Sequence, residues 1–522
     1  MERQSTWANR TESGHHLIII SAVYPPALMP RTLLTLPGEL HARILAHLPS
    51  IRDFGRADCV CCAWHAWREG GSPVEQALRR RIAARGGTVP TELLGKTSMT
   101  QDLCWLELLH AARMAADLIS AGGNLSAAVD SHGQLCVWGA AYKTVGDPRF
   151  QTLFTYNEPT RVASARCVSV GEDHVLALTD SGSVLSFGGG MDGEMHGQLG
   201  HGSDGGDESW GFIADHREPK LIESLHGIRV TAVAAGRHHS MVLTGEGKVL
   251  TFGHGYDGKL GHGYGLHYQE DQYEPLVIEA LVEDLDGMDV VAIAAGGAHS
   301  LVLTDAGAVL SFGTGWDGRL GHLGNAHATY KHKPEVIEAL SDVRVVAIAA
   351  GGHHSMVLTD EGIVFSFGWG SDGKLGHGDG KEQYKPKVIE ALRGMRVVAI
   401  AAGRNHSMVL TDGGAVLSFG GGKSGQLGHG DQENQYVPKV IESLSDVRVA
   451  AIAAGMEHSL VLSDAGTVFT FGWGGQGQLG FPPVQTYPVP DDDWGSERKP
   501  SFYCRRETPA RVAGLQVRVP RS

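Results

Sequence analysis

Cysteine is scarce in this chain, at 7 of 522 residues with no dense spacing. That excludes a disulfide-stapled secreted scaffold and fits a reducing compartment. Cys59 and Cys62 form a lone CxxC with His65 three residues on. A structural zinc site wants a second such pair; none follows, so these cysteines read as buried helix positions and no cofactor is expected. Long apolar runs are missing too. Leu17 to Val23, the longest near the start, is far short of the roughly 20 residues that span a bilayer. No small-residue cleavage site follows a basic segment there. A soluble intracellular protein, cytoplasmic or nuclear, with no membrane partner is the expectation. Basic charge is in deficit, with 44 Lys and Arg against 58 Asp and Glu, a net −14. A chain this acidic is a poor general binder of phosphate backbones, so no direct nucleic-acid partner is expected. The deficit is uneven: residues 1–120 hold 13 basic and 11 acidic side chains, and the remainder 31 and 47. Two regions of different character meet near residue 117.

Glycine, by contrast, is abundant at 72 residues. It follows no three-residue period, which excludes a collagen-like chain. With 42% hydrophobic residues the chain can bury a large core. An internal repeat explains the glycine. Ala350–Gly376 reads AGGHHSMVLTDEGIVFSFGWGSDGKLG and Ala402–Gly428 reads AGRNHSMVLTDGGAVLSFGGGKSGQLG. Further copies begin at Ala235, Ala295 and Ala454, and two degenerate ones at Ala121 and Val170, seven in all. The histidine column is His174, His239, His299, His354, His406 and His458, with Leu125 in the first copy. Its spacings of 49, 65, 60, 55, 52 and 52 residues suit one propeller blade each.

Within a unit, RVVAIAAG, HSMVLTD and VLSFG are short apolar or alternating runs separated by Gly, Asp and Asn turns, the pattern of strands. PKVIEAL at Pro386–Leu392, with PKVIESL at Pro438–Leu444, supplies a fourth. Four strands in seven units predict a mainly β fold: a seven-bladed β-propeller over 117–522, with a small N-terminal α-helical module before it. A single blade cannot bury both faces, so stacking in a ring stabilises it. Pro509–Val519 aligns with Pro386–Val397, and the C-terminal strand 509–519 is expected to complete the first blade and close the ring.

The recurring AGxxHS…LTxxGxVxxFGxGxxGxLGHG pattern resembles the regulator-of-chromosome-condensation repeat family over about 400 residues. The resemblance implies a propeller that binds other proteins. The best-known member implies a guanine-nucleotide exchange factor for a small GTPase as one alternative, and a non-catalytic scaffold is another. Light sensing in a plant member relies on tryptophans just before the Arg-His of its blades. Glu172, Arg237, Gly297, Gly352, Arg404 and Met456 stand there instead, so photoreception is set aside.

Two features imitate catalytic chemistry. The loops GHGYDGKLG, GTGWDGRLG and GWGSDGKLG look like phosphate-binding glycine loops, but no helix pattern follows and the motif recurs blade after blade, so they read as turns. His–Ser pairs such as His239–Ser240 look like a nucleophile with its base. Adjacent strand residues point to opposite faces, and each histidine is expected to bond the turn of its own or the next blade. The chain is not expected to be an enzyme.

Residues 35–67, TLPGELHARILAHLPSIRDFGRADCVCCAWHAW, place Leu40, Ile44, Leu45 and Leu48 on one helix face behind Pro37. The stretch resembles an F-box: Leu36-Pro37, Glu39-Leu40, Ile44-Leu45, Leu48-Pro49, Asp53-Phe54 and Val60-Cys61…Trp64 fall on its LP, EL, IL, LP, DL and VC…W. Cys62 and Phe54 depart mildly from that pattern. The resemblance implies docking onto a Skp-type adaptor of a cullin-RING ubiquitin ligase through Leu36, Pro37, Leu40, Ile44, Leu45, Leu48, Val60, Cys61 and Trp64. Flanking this module at 33–70, residues 1–32 are expected to be a disordered tail and 71–116 a helical linker. The chain would then be a substrate receptor, its propeller holding a substrate protein that the sequence does not identify.

Where the blades vary, folding does not fix the residue. One variable column precedes the histidine and another lies in the glycine loop, and each should form a ring on one face of the disc. Arg237, His238, Tyr256, Trp316, His353, Arg404 and Asn405 are the candidate partner-binding residues.

Overall fold

A computed structural model of the chain describes residues 108–109, 111–143, 151–189, 197–202, 216–263, 271–283, 288–322, 330–481 and 505–519. The module at 33–70, with its nine candidate adaptor-binding residues, lies outside these, as do 1–32 and 71–107. The chain divides into two units, Met1–Leu108 with Arg521–Ser522, and Leu109–Pro520. The second unit holds seven four-stranded antiparallel sheets.

The sixth blade shows how the repeat folds. Val397–Ala402 is the inner strand, followed by His406–Thr411, Val416–Gly420 and the outer strand Gln435–Val440. Alternation in the second strand buries both of its faces, because neighbouring blades cover them. Each third strand sends one large ring into the gap between blades: Trp138, Phe187, Phe252, Phe312, Phe367, Phe419 and Phe471, all with no exposed surface. From Phe252 onward, and again at Trp138, the ring lies against a Leu-Gly turn of the preceding blade, as Phe419 does on Gly376 and Trp138 on Gly480. A side chain on those glycines would press on the ring, and each has a φ of 72–80°, so packing and the left-handed turn both call for glycine there.

The PKVIEAL segment is shifted from its expected bounds. The outer strand begins three residues earlier, at Gln383, and ends at Val388, while Glu390–Leu392 forms a 3-10 turn. Proline removes one ladder donor, which an outer strand tolerates, and Ile389 and Leu392 of the turn fill the inter-blade core.

Ring closure also differs from expectation. Arg505–Arg511 pairs with Val468–Trp473 and is the outer strand of the seventh blade, not of the first. The first blade has its own outer strand, Gln151–Ser164, and its own inner strand, Ile119–Ala121. Reading the repeat from its proline put the strand one blade too far, since that proline closes a blade instead of opening one. The seam is nonetheless sealed by the C-terminus. Val512, Leu515 and Val517 are buried with Ile119, Cys136 and Trp138 of the first blade, and Ser131 N–H donates to the Gln516 carbonyl at 2.8 Å.

At the start of the unit, helix 111–116 is the described end of the expected linker. Leu109 packs on the core between blades five and six, the Arg113 guanidinium donates to the Val291 carbonyl of blade four, and Ala115 joins the seam. The helix thus lies across the end of the channel where the inner strands begin.

Truncation after Thr508 removes Val512, Leu515 and Val517, about 4.5–9 kcal/mol of apolar burial at roughly 1.5–3 kcal/mol per side chain. That is comparable with the whole stability of a domain. The truncated chain is expected to lose its cooperative thermal transition in circular dichroism; an unchanged melt would contradict the closure described here.

Candidate interaction face

At the other end of the channel the seven inner strands finish in glycine turns, and these join into a ring. Gly123, Glu172, Arg237, Gly297, Gly352, Arg404 and Met456 each donate a backbone N–H to a glycine carbonyl of the next blade, at 2.9–3.3 Å. The acceptors are Gly171, Gly236, Gly296, Gly351, Gly403, Gly455 and Gly122. None of these seven glycines has a left-handed φ. They are required by close approach: a methyl group on Gly236 or Gly296 would lie 2.7 Å from the next blade's glycine oxygen, and on Gly351 or Gly455 2.5 Å.

Beneath the ring sit the repeat histidines. His174, His239, His299, His354, His406 and His458 are fully buried. Each Nε2 meets a serine hydroxyl of the following blade at 2.8–2.9 Å: Ser240, Ser300, Ser355, Ser407, Ser459 and Ser126 in turn. Each hydroxyl donates to a carbonyl of the preceding blade's glycine loop, from Ser240 to Gln198 O through Ser126 to Gln478 O, at 2.7–2.8 Å. The hydroxyl proton is therefore committed to the carbonyl, and the histidine must be the Nε2–H tautomer donating to Oγ. Burial holds the imidazoles neutral, pushing His174 and His406 down to about 4 and His458 to about 3. A serine whose proton already serves a carbonyl, out of reach of solvent, is no nucleophile. The histidine's partner is the next blade's hydroxyl rather than a backbone turn as expected.

The junction between blades one and two lacks both halves of this clip at once. Leu125 replaces the histidine and Val175 the serine, and both lie in one buried apolar cluster. An apolar pair leaves no orphaned donor, whereas a single replacement would.

The ring surrounds a cavity of about 150 Å³ at the channel mouth, whose charged lining is Glu172, Arg237, Arg319 and Arg404. Among the expected face residues, Arg237, His353 and Arg404 line it. Arg237 pairs with Glu172, and His238 lies 3.9 Å from the same carboxylate. Asn405 is set back, its carbonyl accepting from Gly421 N–H. Tyr256 and Trp316 project from the glycine loops of blades three and four, 46% and 53% exposed. Tyr256 stacks on His254 with ring centroids 5.9 Å apart.

Sequence reasoning missed three cations. Lys259, Arg319 and Lys374 occupy one column of the glycine loop in blades three, four and five, and are 2%, 4% and 0% exposed. Lys259 Nζ donates to the Tyr256 carbonyl at 2.7 Å, and Arg319 Nε to the Trp316 carbonyl at 3.0 Å. Lys374 Nζ donates to Ser371 Oγ at 3.1 Å and sits 4.4 Å over the Trp369 ring. Burial pushes both lysines down to about 8. Their turns carry Asp257, Asp317 and Asp372 at φ of 70°, 61° and 61°, the left-handed region that Asp tolerates better than most residues. Blades six and seven use glutamine in that column instead. Gln426 Oε1 accepts from Ser424 N–H at 2.8 Å and Gln478 Oε1 from Gln476 N–H at 2.9 Å. A cation has nothing to offer an N–H, so its turn presents an oxygen instead, a carbonyl to Lys259 and Arg319 and the Ser371 hydroxyl to Lys374, and in all three turns the aspartate is left-handed. The alternation of Lys/Arg with Gln down one column was the available signal. Among the described residues, no group of three or more His, Cys, Asp or Glu side chains is placed to hold a metal ion, and no helix is long and apolar enough to cross a membrane.

Ring, clips and repeated blades define a seven-bladed propeller built as an interaction scaffold. The chain belongs to the RCC1-like domain family, which matches residues 107–396 and 264–491. It is 33% identical over 314 residues to the ultraviolet-B receptor UVR8 of Arabidopsis thaliana, covering 60% of this chain and 66% of the receptor. Against the human E3 ubiquitin-protein ligase HERC2 it is 36% identical over 314 residues, 59% of this chain but 6% of the ligase. The match thus spans just under two thirds of the receptor and a small part of the ligase. Human WBSCR16 has the same fold, with a TM-score of 0.56 and 24% identity over 73% of this chain and 94% of that structure.

The clip can be tested by a double-mutant cycle. His406→Leu and Ser459→Val each leave a buried polar group without its partner and are expected to cost about 1–3 kcal/mol. The double variant, which copies the Leu125–Val175 junction, is expected to cost less than their sum by more than about 0.5 kcal/mol. Strict additivity in denaturant unfolding would show that the two residues are not one unit.

Proposed function

We propose that this protein is a substrate receptor of a Skp-cullin-F-box type ubiquitin ligase. In this reading residues 33–70 dock on the Skp-type adaptor through Leu36, Pro37, Leu40, Ile44, Leu45, Leu48, Val60, Cys61 and Trp64, and the propeller face holds the substrate protein. The observation that carries the propeller half is the channel-mouth face. Exposed Trp316, Tyr256 and Arg404 stand there on a hub rigidified blade by blade, and aromatic and arginine side chains on a rigid support are the usual anchors of protein interfaces. The F-box-like motif carries the adaptor half, and the similarity to a stretch of a ubiquitin-protein ligase is consistent with it. Ubiquitin transfer belongs to other subunits; this chain supplies proximity and orientation. The protein acts inside the cell, in the cytoplasm or nucleus.

A pull-down of a Skp-type adaptor with the intact chain and with Leu36→Ala/Pro37→Ala tests this. The intact chain is expected to retain the adaptor and the variant to retain about tenfold less, removal of central interface anchors costing 1.4 kcal/mol or more. Failure of the intact chain to bind any adaptor would overturn the receptor reading in favour of small-GTPase exchange or scaffolding.

A further inference from the structure

Gln426 and Gln478 close the same turn as Lys259, Arg319 and Lys374 without any charge. Positive charge in that column is therefore not a folding requirement. It carries a desolvation cost and is accompanied by three aspartates in the left-handed region. Backbone outliers and buried charges held together in this way cluster at functional sites. The three blades are consecutive, so the charges gather in one sector of the face.

The sector reaches the cavity. Arg319 Nη1 lies 3.4 Å from the Gly352 carbonyl, and the Arg404 stem also lies against Gly352. Both arginine side chains therefore reach one glycine at the channel mouth, and Arg237 lines the same cavity. Arg237 is matched by Glu172 and Arg319 by Asp317. Arg404 is exposed, and no carboxylate of the described residues lies within ion-pair distance of it. Three arginines against one glutamate make up the charged lining of the mouth, although the chain as a whole is acidic; burial, and then Arg319, Lys374, Arg404 and Arg237, push His353 on the same lining down to about 3. Trp316 and Tyr256 border the sector, and the Tyr330 hydroxyl bonds the Trp316 side chain.

We propose that the channel mouth over blades three to six binds an acidic segment of a partner protein, seating one of its carboxylates on Arg404 between Arg319 and Arg237 and an adjacent apolar side chain on Trp316 and Tyr256. An arginine fork suits a planar carboxylate, and the buried cations beneath strengthen the field without competing for the ligand, since their own donors are engaged by the turn. The inference rests on the propeller face being the partner-binding surface, but not on the adaptor.

The test is fluorescence anisotropy of the full-length chain with a labelled peptide of alternating aspartate and glutamate carrying one central leucine. A lysine peptide of equal length and inorganic tripolyphosphate serve as comparison probes. The acidic peptide is expected to bind and the lysine peptide not. Affinity is expected to fall with added salt as exposed charges are screened. Arg404→Glu is expected to weaken binding about tenfold or more, and Trp316→Ala about threefold or more. Lys439→Glu makes the same charge change on the outer strand of blade six and is expected to stay within about twofold. Circular dichroism melts confirm that each variant is folded.

No binding of the acidic peptide, or equal losses in Arg404→Glu and Lys439→Glu, would overturn the proposal. So would competition by tripolyphosphate with no effect of Trp316→Ala, which would indicate an anion site rather than a peptide site. If the peptide fails while Arg404→Glu still abolishes a partner captured by the intact chain, the acidic chemistry is wrong and the face stands. If both fail, the face reading itself falls.

Discussion

Seven backbone hydrogen bonds, each from one blade to a glycine carbonyl of the next, close a circle around the mouth of the channel. The circle sets the distance between inner strands, and that distance excludes any side chain on the seven accepting glycines. Once the inner strands are fixed, the histidines beneath have one place to go, and each reaches across to the following blade's serine. Outside them the third-strand rings fill the gaps. Backbone ring, polar clip and aromatic wedge are three concentric layers, each positioned by the one inside it.

This layering explains where the chain is free to vary. Residues inside the ring are bound by contacts with two blades; at the two positions between the ring glycine and the histidine the ring and its turns engage backbone groups, so the side chains there can differ from blade to blade, as they do at the tips of the glycine loops. Those two positions hold Glu172 and Asp173 in blade two, Arg237 and His238 in blade three, Arg404 and Asn405 in blade six. A single face of a symmetric scaffold thus becomes chemically asymmetric without disturbing the fold. The columns beneath respond as well: Lys, Arg, Lys in blades three to five and Gln in blades six and seven satisfy the same turn by opposite hydrogen-bond polarity. Keeping three buried cations where glutamine suffices for the turn is a cost, and function is where such costs are retained.

Much of the fold was legible from the repeat itself. A histidine every 52 to 65 residues with four strand-like runs between, and a leucine in its place one unit earlier, leaves little choice but seven blades, and the variable columns pointed to Arg237, Trp316 and Arg404 on one face. What could not be read required the circle to be closed. The partner of His239 is Ser300, 61 residues away, while the sequence shows only the adjacent Ser240. The outer strand belongs to the blade before its proline, a matter of phase that a repeat cannot reveal about itself. The cations of blades three to five were hidden because Lys259, Arg319 and Lys374 sit inside an otherwise uniform GxLG signature, and burial separates them from ordinary surface lysines only in three dimensions.

The dependence of the whole structure on the glycine circle is tested most directly by comparing Gly351→Ala with Gly394→Ala. At Gly351 the added methyl meets the Gly403 oxygen at 2.5 Å and His354 Cε1 at 2.6 Å, whereas at Gly394, with φ +83°, it meets nothing within 4 Å. Denaturant unfolding should show a loss of about 3 kcal/mol or more for Gly351→Ala, the upper range of overpacking. Gly394→Ala should lose only about 1–2 kcal/mol, the backbone cost of a left-handed alanine. Equal losses, or a larger one at Gly394, would contradict the account, because the glycines would then be serving turn conformation and not the approach of one blade to the next.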